Sequence, residues 1–212
     1  NSETNYIKNL TLIEHYKRLI KKIIFKSENI STNNFENVMS QNLQDLIVLD
    51  LFGFKKNGYF IEAGACDGKL NSNTYFLEKN FSWTGLLVEP LDLYFDSLQQ
   101  NRKSLCKNYA LTPSDLNQSE FLKVKSNDLS TLKGYEDNDY HAENRENNKT
   151  IMVNSISLFT LMNNVSSPKV VDFLSLDTEG SEYDILKNFN FNVYKFNVIC
   201  IEHNFNNNRI LI

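Results

Sequence analysis

Three segments of the chain place acidic residues where a predicted buried strand ends. They are residues 59–68, 85–90 and 171–180, and each is an apolar run that finishes near a carboxylate. In an open α/β sheet, ligands bind outside the carboxyl ends of the strands, so side chains gathered there contact a bound molecule. Acids and glycines at such an edge favour a nucleotide-like cofactor.

The first segment carries the sequence Glu-Ala-Gly-Ala-Cys-Asp-Gly at residues 62–68. Gly64 lets a ligand approach the backbone closely, and Gly68 tolerates a tight turn. Glu62 could hold an ammonium group, directly or through water, while the helix start at residues 72–74 receives a carboxylate. The pattern therefore fits an amino acid ligand, although many loops with two glycines only turn the chain.

The second segment ends in Glu89. This acid follows the first loop at roughly the distance at which nucleotide-binding βαβ units use an acid to bind ribose hydroxyls. A dinucleotide would also need its pyrophosphate bound, but the Gly-x-Gly-x-x-Gly pattern is missing, and Asp67 in the loop would repel phosphate. A cofactor with a ribose, no phosphate and a positive sulfonium fits better, which favours S-adenosylmethionine over a nicotinamide cofactor.

The remaining candidates follow the fourth and fifth predicted strands. Asp177 and Glu179 come after the fourth strand, and His203 and Asn204 come after the fifth. Methyl transfer to a hydroxyl needs a base or a metal ion beside it, and Asp177, Glu179 or His203 could be the base. Asp177, His203 and Asn204 could instead surround Mg²⁺, although that ion prefers oxygen ligands. Glu179 could also simply favour the N-terminus of the next helix, as we expect for Glu182.

A regular alternation of strands and helices positions these residues. The predicted strands are residues 59–63, 85–89, 105–111, 171–176 and 197–201. The predicted helices between them are residues 72–80, 90–101, 157–163 and 181–189. A further helix spans residues 41–52, with Ser40 as its N-cap and Gly53 in the left-handed position after it. This alternation predicts an α/β fold with a mostly parallel sheet and flanking helices.

Two parts of the chain fall outside this alternation. Residues 1–38 are predicted to form a basic amphipathic helix, over residues 10–25, and a polar linker. This helix would dock on its own domain or on a partner, or make a peripheral contact with an anionic membrane.

The predicted domain proper is 39–212, with an acidic, asparagine-rich insertion at 113–150. The insertion and its edges add strands at 120–125 and 150–156, and long loops of this kind often carry specificity. Few residues follow the fifth strand. We therefore expect the closing strands of a seven-stranded sheet to be missing at the C-terminus.

The overall composition limits the function classes. The chain has 212 residues and a net charge of -4, which suits one ordinary domain and argues against a nucleic-acid-binding surface. Its three cysteines are far apart in the sequence, so we expect reduced thiols and a cytoplasmic setting. No apolar run approaches the ~20 residues needed to cross a bilayer.

Six motifs, taken in order, resemble the FkbM-type methyltransferases. They are Ser-Gln-Asn-Leu-Gln-Asp at 40–45, Phe-Ile-Glu-Ala-Gly-Ala-Cys-Asp-Gly at 60–68, Asn-Ser-Asn-Thr-Tyr-Phe-Leu-Glu at 71–78, Trp-Thr-Gly-Leu-Leu-Val-Glu-Pro at 83–90, Asp-Phe-Leu-Ser-Leu-Asp-Thr-Glu-Gly at 172–180 and Ile-Glu-His-Asn at 201–204. The resemblance implies a class I, Rossmann-like methyltransferase fold. It also implies O-methylation of a sugar, a glycan or a related small metabolite, with S-adenosylmethionine as donor.

The resemblance also implies roles for individual residues. The acceptor would face Asp177, Glu179 and His203. The cofactor would be lined by Glu62, Gly64, Ala65, Asp67, Gly68, Ser72, Asn73 and Glu89. A homo-oligomer is compatible with this assignment. The alternative function is a non-catalytic binding module of the same fold, which acts through residues 10–25 and the insertion.

Overall fold

The computed structural model describes residues 37–124, 129–136 and 149–202. The predicted N-terminal helix, nearly all of the linker, much of the insertion, and both His203 and Asn204 lie outside these ranges. Within them, no helix is long and apolar enough to cross a membrane. Cys66, Cys106 and Cys200 are not in disulfide bonds.

Five helices and nine strands make up the described part of the chain. In chain order they are α1 (Gln44–Leu51), β1 (Tyr59–Ala63), α2 (Tyr75–Phe81), β2 (Thr84–Val88), α3 (Asp92–Asn101), β3 (Leu105–Lys107), β4 (Ala110–Thr112), β5 (Gln118–Lys123), β6 (Thr131–Leu132), β7 (Lys149–Ser157), α4 (Leu158–Asn164), β8 (Val170–Leu176), α5 (Glu182–Lys187) and β9 (Lys195–Ile201).

A five-stranded parallel sheet lies at the centre, in the order β3-β2-β1-β8-β9. Both faces of this sheet are buried, which explains why its strands are almost continuously apolar. Along β1, Phe60 packs into the apolar cluster on one face, with side chains from α1 and α2. Ile61 packs into the cluster on the other face, with side chains from α4 and α5. The predicted α/β fold with a parallel sheet is confirmed.

A second, four-stranded sheet has the order β4-β7-β5-β6. The strand predicted over residues 105–111 is wrong, because the chain bends there and divides into β3 of the central sheet and β4 of the second. Asn108 holds the bend, since its side-chain amide donates to the carbonyl oxygens of Glu89 and Pro90 at 3.2 Å each. The two strands predicted around the insertion are confirmed as β5 and β7, which pair antiparallel.

The first helix begins later than its capping motif predicts. Ser40 is not the N-cap of α1. Leu43 holds that position, with a φ of 58°. The Ser40 hydroxyl instead donates to the carboxylate of Asp45 at 2.6 Å, because this fully buried acid needs a hydrogen-bond donor. The end of the helix agrees with the prediction, since Gly53 follows it with a φ of 59°.

Candidate functional site

Four residues form a row across the carboxyl edge of the central sheet. The last residues of β2, β1, β8 and β9 are in register. The residues that follow them, in that order, are Glu89, Gly64, Asp177 and Glu202. The amides of the last three each donate to the neighbouring strand, at 3.1, 3.2 and 3.0 Å. The register therefore brings two predicted acids and the predicted glycine to one edge, as expected from their positions after buried strands.

A cavity of about 370 Å³ lies over this row. Its polar side is formed by the row itself and by the loops after β1 and β8. Its apolar side includes side chains of the second sheet: Ala110, Leu111, Phe121 and Leu132. The predicted site residues that line it are Gly64, Ala65, Ser72, Glu89, Asp177 and Glu179.

Glu89 is held in place at the wall of this cavity. One carboxylate oxygen accepts the Cys66 amide and the other accepts the Leu91 amide, both at 2.9 Å. Only 3 % of the residue is exposed. Burial raises the pKa of Glu89 to about 7, although the two amides favour the charged form and oppose this rise. Each oxygen keeps a lone pair that can accept a further hydrogen bond from a ligand.

Glu62 belongs to a buried network and does not line the cavity. Its carboxylate accepts the Asn73 amide at 2.7 Å and the Ser72 hydroxyl at 2.9 Å. The fully buried guanidinium of Arg102 lies 3.4 Å from it. The amide of Asn73 was predicted to help receive a ligand carboxylate, and it pairs here with Glu62. A cofactor contact by Glu62 stays a prediction.

Three further predicted cofactor residues shape the loops and do not line this cavity. The carboxylate of Asp67 closes a turn by accepting the amides of Lys69 and Leu70 at 2.9 and 2.8 Å. Gly68 has a φ of 76°, which glycine adopts without strain. The Asn73 side chain donates to the hydroxyl of Ser175 at 2.9 Å. Their predicted contacts with the cofactor also stay predictions.

A cluster of three acids occupies the other end of the row. The carboxylates of Asp177, Glu182 and Glu202 lie within 4.8 Å of one another. Burial, and then the nearby Glu202, raise the pKa of Asp177 well above its ordinary value. Glu182 accepts the amides of Thr178 and Gly180 at 2.7 and 3.1 Å. Glu182 lies in the first turn of α5, as expected, and its carboxylate holds the loop that precedes the helix.

The predicted magnesium ligands are only partly described. The three clustered carboxylates offer the oxygen atoms that Mg²⁺ prefers. His203 and Asn204 lie outside the described residues, so the set of Asp177, His203 and Asn204 stays a prediction. Glu179 lines the cavity, and its carbonyl accepts the hydroxyl of Thr131 at 2.7 Å, which links the loop after β8 to the second sheet.

Three residues of this region were not among the predicted site residues. Glu202 follows β9 just as Glu89 follows β2, and that shared position is the signal that could have identified it. Gln41 belongs to the first motif and lines the cavity from the other side. Arg102 has no recognisable signal, because it lies 40 residues from Glu62 in the chain.

The raised pKa of Glu89 predicts a pH-dependent stability. Between about pH 4.5 and 7 the folded chain keeps a proton on Glu89 that the unfolded chain has released. The contribution to stability is complete below this window and is lost as the pH rises through it. We expect a loss of up to about 3 kcal/mol in the free energy of unfolding from this group.

Urea unfolding at several pH values from 4.5 to 7.5 checks this with the Glu89→Gln variant. At low pH the variant is less stable than the parent, because its side-chain NH₂ group faces a backbone amide. This unfavourable contact costs the variant the same free energy at every pH. The free energy of unfolding of the variant should therefore fall less steeply with pH than that of the parent. Some slope remains, since burial also raises the pKa of Asp45 to about 6. Equal slopes for both proteins would contradict the assignment.

Comparison with known protein families gives one match. The family described as the methyltransferase FkbM domain matches residues 62–211, which is well over half of the chain. No curated protein and no solved structure matches it. The matched residues include the whole row at the carboxyl edge of the central sheet.

Proposed function

Because the chain belongs to the FkbM methyltransferase family, we propose that it transfers a methyl group from S-adenosylmethionine to a hydroxyl. The acceptor class we propose is a sugar, a glycan or a related small metabolite. The observation that carries this proposal is the placement of Glu89 at the wall of the cavity, with both of its oxygens held by backbone amides.

The geometry around Glu89 supports a ribose at this end of the cavity. Two adjacent ribose hydroxyls can each donate to one oxygen of the carboxylate, and charge-assisted hydrogen bonds of this kind are strong. The apolar side chains of Leu91 and Leu111 line the same cavity, which suits the flat face of an adenine. The absence of any Lys or Arg among the described lining residues is consistent with a cofactor that has no phosphate.

The aminoacyl part would then extend along the row towards Gly64 and Asp177. Gly64 lines the cavity, and its missing side chain lets the end of β8 lie close to the end of β1, because a Cβ atom there would meet the carbonyl oxygen of Asp177. S-adenosylmethionine, when bound, supplies a methyl group on a positively charged sulfur. Carboxylates at the far end of the row favour that positive charge in the cavity.

Proton removal from the acceptor hydroxyl is the task of the chain's own residues. Asp177 and Glu179 line the cavity, and both remain candidates for the base together with His203. The base takes the hydroxyl proton while the oxygen forms its bond to the methyl carbon and the bond from carbon to sulfur breaks. The electron pair of that bond stays on sulfur, which becomes neutral.

Calorimetric titration tests the cofactor assignment. We expect the chain to bind both S-adenosylmethionine and S-adenosylhomocysteine, and Glu89→Gln to weaken both by about 5- to 150-fold, or about 1 to 3 kcal/mol. The matched control is Glu120→Gln, an exposed acid paired with Lys133 on the second sheet, which should leave the affinity unchanged. Failure of the parent to bind either compound at millimolar concentration would refute the function.

A further inference from the structure

A second cavity, of about 320 Å³, adjoins the first. Its size is within the range of small-molecule sites. Asp177, Glu202 and Gln41 line both cavities. In a transfer reaction the donor and the acceptor must meet, so a pocket that shares its wall with the donor cavity is in the right place for the acceptor.

Two buried acceptor atoms in this region lack a hydrogen-bond partner among the described residues. They are Oδ1 of Asn73 and Oε2 of Glu202, to which no residue of the described ranges donates, and both residues line the second cavity. Two donors of these residues are already engaged, since the Asn73 NH₂ group donates to Ser175 and the Glu202 backbone amide donates to Leu176. Buried acceptors without partners are rare in folded proteins, so this pair indicates a ligand that brings its own donors.

The rest of the lining defines the chemistry of that ligand. Three side-chain amides, from Gln41, Asn42 and Gln44, both donate and accept hydrogen bonds. Leu176 and Ile201 provide apolar contact. Among the described lining residues none is positively charged and Glu202 is acidic, so no cation would balance the charge of a phosphate or a carboxylate there.

We propose that the second cavity binds the acceptor as a neutral, polyhydroxylated group such as one sugar ring, with Asn73 Oδ1 and Glu202 Oε2 accepting hydrogen bonds from its hydroxyls. This assignment rests on the proposed function, because it takes the first cavity as the cofactor site. A hydroxyl bound to Glu202 lies next to Asp177 and therefore beside the end of the cofactor cavity. Asn42, Gln44 and Asn73 become specificity residues for the acceptor.

Methyl NMR on the full chain tests this proposal, with Ile and Leu methyl groups labelled. Leu91 and Leu132 report on the first cavity, and Leu176 and Ile201 report on the second. S-adenosylhomocysteine is added first, followed by methyl α-D-glucopyranoside, galactopyranoside or mannopyranoside up to 100 mM. We expect S-adenosylhomocysteine to shift the methyl signals of Leu91 and Leu132. At least one glycoside should shift the methyl signals of Leu176 and Ile201.

Two variants and a charged probe sharpen the test. Glu202→Gln and Asn42→Leu should each weaken glycoside binding at least five-fold. Asn42→Leu should also leave the affinity for S-adenosylhomocysteine unchanged, because Asn42 lines only the second cavity, whereas Glu202 lines both. Asn42 is exposed and lines only the second cavity, so we expect its replacement to leave the fold intact. Glu120→Gln is the control and should change neither affinity. Glucose 6-phosphate should bind at least five-fold more weakly than the neutral glycosides.

The outcomes separate the two proposals. If S-adenosylhomocysteine shifts Leu91 and Leu132 but no glycoside shifts Leu176 or Ile201, the acceptor site is refuted and the cofactor site stands. The acceptor site would also be overturned if glucose 6-phosphate bound more tightly than the neutral glycosides. Unchanged glycoside affinity in both Glu202→Gln and Asn42→Leu would overturn it as well. If S-adenosylhomocysteine does not shift the methyl signals of Leu91 and Leu132, the proposed function fails and the acceptor assignment fails with it.

Discussion

Replacing Arg102 by methionine is expected to lower the free energy of unfolding by about 3 to 5 kcal/mol. The Arg102 side chain is fully buried between two acids, 3.4 Å from Glu62 and 3.2 Å from Glu78. Burial alone would raise the pKa of Glu78, but Arg102 and hydrogen bonds from the following loop outweigh it and hold the pKa below its ordinary value. Methionine fills similar space and leaves both carboxylates buried without their cation.

The same substitution should also weaken cofactor binding. Arg102 donates to the carbonyl of Gly68 at 3.0 Å and to the hydroxyl of Ser72 at 3.1 Å, and Ser72 lines the first cavity. Without these bonds, the loop between β1 and α2 loses the contacts that fix its shape. We expect the affinity for S-adenosylhomocysteine to fall together with the stability.

Urea unfolding measures this effect, with Lys79→Met as the matched control. Lys79 is partly exposed and lies 3.7 Å from Glu78, so its replacement should cost less than about 1 kcal/mol. The double variant Arg102→Met with Glu62→Gln should be more stable than Arg102→Met alone, because one uncompensated charge is gone and the Ser72 hydroxyl can turn to accept a hydrogen bond. A loss below 1 kcal/mol for Arg102→Met would contradict the role of the network.

Sequence patterns predicted the edge of the site well. Glu89, Gly64 and Asp177 each follow an apolar run, and buried parallel strands must end at a common edge, so their proximity follows from the pattern alone. The same reasoning places Glu202 at this edge, because it directly follows β9 just as the other three residues follow their strands.

The residues behind that edge could not be predicted in the same way. Glu62 has the type and position of a cofactor ligand, yet the structure places its carboxylate beside Arg102, 40 residues along the chain. Only the packing of α3 against the loop after β1 creates this contact. The Ser40 hydroxyl likewise meets Asp45 because that acid is fully buried, which a local capping pattern does not reveal. Burial of a charge selects its partners, and burial depends on the whole fold.

The close approach of β1 and β8 depends on the lack of a side chain at Gly64. A Cβ atom placed there would lie 1.8 Å from the carbonyl oxygen of Asp177, which is a backbone atom and cannot rotate away. The same position has a φ of 75°, which an alanine adopts only with strain. A substitution must therefore push the end of β8 away from β1 and distort the row of residues that lines the first cavity.

Gly64→Ala is expected to lower the free energy of unfolding by roughly 2 to 5 kcal/mol and to abolish measurable binding of S-adenosylmethionine. Gly53→Ala is the matched control, because Gly53 has a φ of 59° but no atom within 4 Å of the added Cβ. Gly53→Ala should lower the free energy of unfolding only by the cost of a positive φ at alanine, about 1 to 2 kcal/mol, and should keep the full affinity for S-adenosylmethionine. Urea unfolding and calorimetry on both variants separate the two contributions. Equal losses of stability would show that the contact with Asp177 does not limit this site.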